Sequence, residues 1–184
     1  LMTPGPLGPI DFSRKVWNIA RRPPNPEKVK ELKRLAEEDP SKIGTWEKET
    51  LMLDALMQST PEVEVEVQAV QIGPAVFVTN PAEMFVEYGL ELKRKSPFPF
   101  TFSVSLANGC VGYVPTQEAM GPKGGGYETR LTAYSNLEIT AGQQMLDAGL
   151  ELVNEMTPGK KPHPPETPPS NRPWSYGSVP PQLD

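Results

Sequence analysis

Two short segments carry oxygen-bearing side chains at positions where chemistry is readily done. In Thr79-Asn80-Pro81-Ala82-Glu83 an apolar run, Ala75 to Val78, ends at Asn80, and an amphipathic pattern of Phe85, Val86, Gly89, Leu90 and Leu92 follows. The spacing predicts a strand handing over to a helix whose first turn carries Glu83. In Leu106-Ala107-Asn108-Gly109-Cys110-Val111-Gly112-Tyr113-Val114, a strand pattern from Phe100 to Leu106 runs into Asn108, Gly109 and Gly112. These predict a tight loop that presents Tyr113. Strand ends and helix starts are where open α/β folds assemble their sites. A carboxylate there can bind a cation or handle a proton, and a phenol can join it when a cation lowers its pKa far below the ordinary value near 10. Each residue also has a plainer role. Asn80 as N-cap, Pro81 at the first position and Glu83 at the third form a capping arrangement that needs no metal, and Tyr113 taken alone is a half-buried aromatic.

Other reactive types are sparse. Cys110 is the one cysteine and His163 the one histidine. With no histidine near it to draw off its proton, Cys110 reads as a small buried residue, and His163, among prolines and lysines, reads as an exposed side chain without a special role. Gly121 to Gly126 predicts a flexible loop beside the site, able to act as a lid, followed by Tyr127 and Glu128.

The elements that position these groups follow from periodicity. Asn25-Pro26-Glu27 starts a helix, with Val29, Leu32, Leu35 and Ala36 at helical spacing until Asp39-Pro40 stops it. A second helix is expected from Thr45 to before Pro61. Val63, Val65 and Val67 alternate with Glu62, Glu64 and Glu66, the mark of a half-buried strand, and Gly73-Pro74 turns the chain into Ala75 to Thr79. So short a link makes this pair antiparallel. Pro115 to Met120 predicts a short helix. Thr140-Ala141-Gly142-Gln143 fits a capping box before a last helix with Met145, Leu146, Gly149, Leu150, Val153 and Met156 on one face. The fold class expected is α/β, a mixed β-sheet flanked by helices.

The 184 residues include 23 prolines, gathered toward both ends. Three regions are expected: residues 1–26, an extended proline-rich lead-in lying on another surface with Trp17 as its anchor; residues 27–156, the folded portion; and residues 157–184, a proline-rich tail. A net charge of -5 leaves no basic footprint for nucleic acid. The triplet Lys93-Arg94-Lys95 reads as the positive last turn of a helix. No stretch approaches the roughly eighteen apolar residues of a membrane span, so no transmembrane segment is expected. The opening Leu1-Met2-Thr3-Pro4 reads as mid-sequence, which leaves room for a targeting segment upstream.

The two segments resemble the neutral and alkaline, non-lysosomal ceramidase family, zinc amidohydrolases of N-acylsphingosine. The resemblance spans residues 27–156 and is strongest from Val67 to Leu131. The family's Pro-Gly-Glu motif falls on Pro81-Ala82-Glu83, and its Leu-Ala-Asn-Gly-x-x-Gly-Tyr-type motif on Leu106 to Tyr113. The resemblance therefore implies that Glu83 and Tyr113 ligate zinc. An aromatic-Glu motif falls on Tyr127-Glu128 and implies that Tyr127 hydrogen-bonds the substrate. Departures are Ala82 for the usual Gly, Cys110 for a frequent aromatic, and the Gly124-Gly125-Gly126 run. By this resemblance the chain is the C-terminal portion of a larger ceramidase-like catalytic domain. The histidine ligands belong to an N-terminal portion, a separate chain or a missing one, and the substrate is a lipid-like N-acyl amine cleaved by a zinc-activated water. The setting implied is secreted, periplasmic or at a membrane surface. From another class, the alternative is a non-catalytic interaction protein that keeps the fold without the metal and binds through its proline-rich ends.

Overall fold

The alternation of valines with glutamates from Glu62 dictates a strand with one apolar face, and this strand is central to the sheet. The computed structural model describes residues 8–163. Along the chain run β1 (Ile10–Ala20), α1 (Pro26–Glu38), α2 (Thr45–Ser59), β2 (Glu62–Ile72), β3 (Ala75–Thr79), β4 (Glu83–Met84), α3 (Val86–Lys95), β5 (Phe100–Val104), β6 (Tyr113–Val114) and α4 (Ala141–Asn154). One sheet has the order β1-β2-β3-β5, with β1–β2 and β2–β3 antiparallel and β3–β5 parallel. A separate parallel ladder joins β4 to β6. This is the mixed, helix-flanked α/β sheet expected.

The inner face of the sheet makes the core. Val65, Val67, Ala69, Val76 and Val78 pack under α4, whose Met145, Leu146, Leu152 and Val153 are buried. Each of these valines, leucines and Met145 contributes about 1.5–3 kcal/mol when taken from water, and Ala69 less. α1 begins as its sequence dictates: the Asn25 side chain accepts from the Glu27 and Lys28 amides, with Pro26 at the first position. It forms a hairpin with α2, where Val29, Leu32, Ile43 and Leu53 are buried. Among the described residues no helix is long and apolar enough to cross a membrane.

Four local expectations need correction. Residues 10–20, expected to lie extended on another surface, are extended but form the edge strand β1, paired along its whole length with β2. The apolar residues between the prolines decide this, because Ile19 enters the core at 1% exposure and the Trp17 indole donates to Gln144 Oε1 at 3.1 Å. Helix α3 buries Tyr88 and Leu92, while Val86 and Leu90, expected on its inner face, are exposed. Pro115 to Met120 forms turns, with the Met120 amide on Thr116 O at 3.1 Å and the Gly121 amide on Glu118 O at 2.9 Å; Pro122 blocks continuation into a helix. Thr140 precedes α4 but makes no capping hydrogen bond, because its hydroxyl accepts from the Gln144 amide group instead.

The outer face of the main sheet carries two apolar rows that cross all its strands: Ile10, Ile72, Ala75, Phe100, and Phe12, Val70, Phe77, Phe102. Phe77 and Phe102 stack with centroids 4.9 Å apart. Ile10, Phe12, Ile72, Phe100 and Phe102 are exposed, and with the Lys161 ammonium 5.7 Å from the Phe100 ring centroid the band is largely open among the described residues. The tail begins tied to the sheet, with Gly159 N donating to Gly73 O at 3.0 Å and Gln71 Nε2 to Thr157 O at 2.8 Å. The tail expectation for residues 164–184, like that for residues 1–7 of the lead-in, lies outside the described residues.

If β1 is an integral strand, Ile19→Ala costs about 2–5 kcal/mol, the range for truncating a buried isoleucine. Asn18→Ala, one residue away on the exposed face, stays within about 0.5 kcal/mol. Denaturant melts of both variants check this, and equal small effects would return the segment to the status of a lead-in.

Candidate functional site around Glu83 and Tyr113

The site begins with a backbone choice. After β3 the chain does not enter a helix at Asn80. The Asn80 side chain accepts from the Ala82 amide at 3.1 Å, the Asn80 amide donates to Val104 O at 2.9 Å, and α3 starts only at Val86. Glu83 therefore lies on β4, outside the first helical turn where both the capping and the ligating readings had placed it. The Glu83 amide is occupied by Gly112 O at 2.9 Å, so the residue is committed to a ladder with the Tyr113 strand. Ala82, at the position where glycine was expected, is fully buried with its methyl in the core.

Parallel pairing sets Glu83 opposite Tyr113 and Met84 opposite Val114. Residues at the same register of neighbouring strands project from the same face. The two residues singled out from sequence, thirty positions apart, are thus side by side. The loop that delivers Tyr113 holds left-handed backbone at Leu106 (φ 53°) and Asn108 (φ 62°). Asn adopts this region readily, whereas for Leu it stores strain.

Gly112 shows why the motif needs its glycine. Its φ is +83°, and a Cβ built there would lie 1.6 Å from the Tyr134 carbonyl oxygen. That carbonyl accepts the Tyr113 amide at 3.1 Å. The approach of two backbones that places Tyr113 is therefore possible only without a side chain at 112.

Three phenols cluster at this ladder. Tyr127 and Tyr134 stand edge-on to the Tyr113 ring, with centroids 5.5 and 5.3 Å away. Hydroxyls of Tyr113 and Tyr127 are 3.4 Å apart. The Tyr134 hydroxyl donates to Glu83 Oε1 at 2.8 Å and lies 3.3 Å from Cys110 Sγ. A phenol has one proton, so with it given to Glu83 the thiol must be the donor to the Tyr134 oxygen. Cys110 is exposed, contrary to its reading as a buried residue. The loop geometry that turns Val111 inward, at 8% exposure, turns its neighbour out.

Electrostatics follow from these contacts. The hydrogen bond with Tyr113 pushes the Tyr127 pKa up to about 12, and the charges of Tyr113 and Glu128 add to it. Tyr134 is held well above the usual phenol range, first by its hydrogen bond with Cys110 and then by the one to Glu83. Both hydroxyls are held as proton donors at neutral pH.

Of the residues foreseen, the structure brings together Glu83, Tyr113 and Tyr127. Glu128 lies beside them in a single helical turn, Tyr127–Thr129, and its carbonyl accepts the Ser135 hydroxyl. His163 is exposed, as expected. Sequence reasoning missed Tyr134. The available signal was an aromatic in a polar, turn-forming stretch, Thr132-Ala133-Tyr134-Ser135-Asn136, where no periodicity demanded one.

As a metal centre the donor set is partial. A carboxylate is an ordinary zinc ligand, a phenol becomes one only when a cation lowers its pKa, and among the described residues Glu83 is hydrogen-bonded through Oε1, which leaves Oε2 for another partner. Yet no group of three or more His, Cys, Asp and Glu comes together among the described residues. Among the described residues the oxygens at this ladder that could face a cation are those of Glu83 and Tyr113, fewer donors than a zinc site needs.

The fold has counterparts among solved structures. A crystal structure of neutral ceramidase from Pseudomonas aeruginosa matches with a TM-score of 0.51 at 14% identity, over 84% of this chain and 30% of that one. The fold is ceramidase-like. A ceramidase complexed with C2 gives a TM-score of 0.40 at 20% identity, over 56% of this chain and 17% of that one. At such identities the likeness is one of fold. No family model and no curated protein matches the sequence. The chain thus spans about a third of the ceramidase that shares its fold.

Two outcomes test this arrangement. Gly112→Ala must separate the Gly112 and Tyr134 backbones, with a loss of about 1–3 kcal/mol for the unmade hydrogen bond and about 1–2 kcal/mol for the left-handed alanine, read from a denaturant melt. In Tyr113→Phe the main cause of the raised Tyr127 pKa is gone, so titration followed by NMR of ring-labelled tyrosine shows Tyr127 falling from about 12 toward the ordinary value near 10.

Proposed function

We propose that this chain is the C-terminal portion of a zinc-dependent amidohydrolase that cleaves the amide of N-acylsphingosine or a similar N-acyl amine. The observation that carries the reading is the juxtaposition of Glu83 and Tyr113 across a parallel ladder, with the Tyr127 hydroxyl 3.4 Å from that of Tyr113, within a ceramidase-like fold.

In this reading Glu83 and Tyr113 supply two oxygen ligands, and the histidines that complete the set come from an N-terminal portion of the same catalytic domain. Zinc bound there supplies Lewis-acid polarisation of the amide carbonyl and lowers the pKa of water. The chain's own part is to orient and to donate. Tyr127, exposed and protonated, is placed to hydrogen-bond the carbonyl oxygen as negative charge develops on it, which is the most effective use of a fixed donor. Tyr134 donates to the carboxylate of Glu83 and Tyr113 lies beside it on the neighbouring strand. The Gly121–Gly126 segment enters Tyr127 at Gly126 with φ +104°, so the donor sits at the end of a glycine hinge.

The bare outer face of the main sheet supports an N-terminal partner portion. The apolar rows ending at Phe100 and Phe102 offer the surface for such a cover. A lipid-like substrate fits an enzyme that works outside the cytoplasm or at a membrane surface.

Tyr113→Phe keeps the ring and removes the ligand oxygen. In the assembled protein we expect zinc affinity or turnover to fall by roughly 10- to 100-fold with the melting temperature little changed, as for other altered metal-site contacts. Zinc content, amide hydrolysis and thermal melting on the same variant decide it. Normal zinc and full hydrolysis would overturn the assignment, and a wild-type protein that neither binds zinc nor hydrolyses amides would favour a non-catalytic interaction protein.

A further inference from the structure

We infer that Tyr134 is a positioning residue for the metal site: its hydroxyl pins one oxygen of Glu83 so that the other is presented to the cation. The inference rests on the zinc reading above and adds a residue that reading does not use.

The contact is short and directional, with Tyr134 Oη donating to Glu83 Oε1 at 2.8 Å. A carboxylate that ligates through one oxygen commonly has the other held by a hydrogen-bond donor, because a freely rotating carboxylate loses entropy on metal binding. Tyr134 is fixed at both ends. Its carbonyl accepts the Tyr113 amide at 3.1 Å, and its ring stands at 80° against the Tyr113 ring. One residue therefore sets the backbone of the second ligand and the carboxylate of the first.

The turn that presents Tyr134 is built to stay still. Thr132 Oγ1 accepts the Tyr134 and Ser135 amides at 3.2 and 2.9 Å. Asn136, fully buried, donates to the Thr132 and Ala133 carbonyls at 3.0 and 2.7 Å and accepts from Arg21 at 2.6 Å. From α2, Glu49 accepts the Ala133 amide at 3.1 Å. A surface tyrosine without a task does not need such a mount. Cys110 Sγ lies 3.3 Å from the same hydroxyl.

A merely structural tyrosine gives a different signature, so the test is a double-mutant cycle on zinc affinity in the assembled protein, with zinc itself as the probe in competition with a chromophoric chelator. Tyr134→Phe is expected to weaken zinc binding roughly 10- to 100-fold. The same change in a Glu83→Gln background is expected to have no further effect, since the role is exerted through that carboxylate. Tyr88→Phe is the control: its buried hydroxyl donates to Pro115 O at 3.3 Å, so its loss lowers the melting temperature and leaves zinc affinity alone. Loss of affinity in Glu83→Gln with none in Tyr134→Phe, or an equal loss from Tyr134→Phe in both backgrounds, overturns the role of Tyr134. Full affinity in Glu83→Gln removes the zinc reading itself, and the role of Tyr134 with it.

Discussion

The close approach of Gly112 to the Tyr134 carbonyl is the constraint on which the site depends. A ladder as short as β4–β6 cannot hold itself, since its few hydrogen bonds each add only about 0.5–1.5 kcal/mol against the entropy of ordering the chain. Its register survives because backbone groups on either side are already engaged. Val111 N is on Pro81 O at 2.8 Å, Ala107 N on Asn80 O at 3.0 Å and Phe85 N on Val114 O at 3.2 Å. The glycine lets a further segment, carrying Tyr134, close over this ladder. A side chain there would push that segment away and with it the donor to Glu83.

That segment is a polar stretch taken into the interior, an arrangement that costs free energy unless every group is satisfied. It is satisfied: among the described residues no buried side-chain nitrogen or oxygen lacks a partner. The guanidinium of Arg21 reaches Asn136 and that of Arg22 the Leu137 carbonyl, and burial lowers both pKa values without removing charges that titrate so far above neutrality. These arginines follow directly on β1. The strand that completes the sheet edge and the residues that hold the site's back wall are therefore one piece of chain, which gives the lead-in region a part in the site that its prolines conceal.

The main sheet has a finished side and an unfinished one. Its inner face buries a continuous core under α3 and α4, while its outer face keeps stacked phenylalanines in the open. Monomeric proteins rarely leave so broad an apolar band uncovered. The chain spans 30% of the length of the ceramidase whose fold it shares.

Much of the scaffold was legible because local physics determines it. The Asn25 cap, the valine–glutamate alternation of β2, the turn at Gly73-Pro74 and the apolar face of α4 each depend on neighbours within a few residues, and all appear where the sequence places them. That Glu83, Tyr113 and Tyr127 were the residues to watch was legible through the motifs around them, but the β4–β6 ladder was not, since Glu83 was expected on a helix. What the sequence could not state was decided by contacts between distant segments. Asn80 can cap a helix or a turn with equal ease, and only the demand of the Gly112 carbonyl for the Glu83 amide made the latter win. β1 looked like a lead-in because prolines bracket it, until β2 offered an edge to pair with. Tyr134 stands out locally only as an aromatic in a polar stretch, since its role exists only when residues 83, 110 and 113 converge on it, and convergence is a property of the tertiary fold.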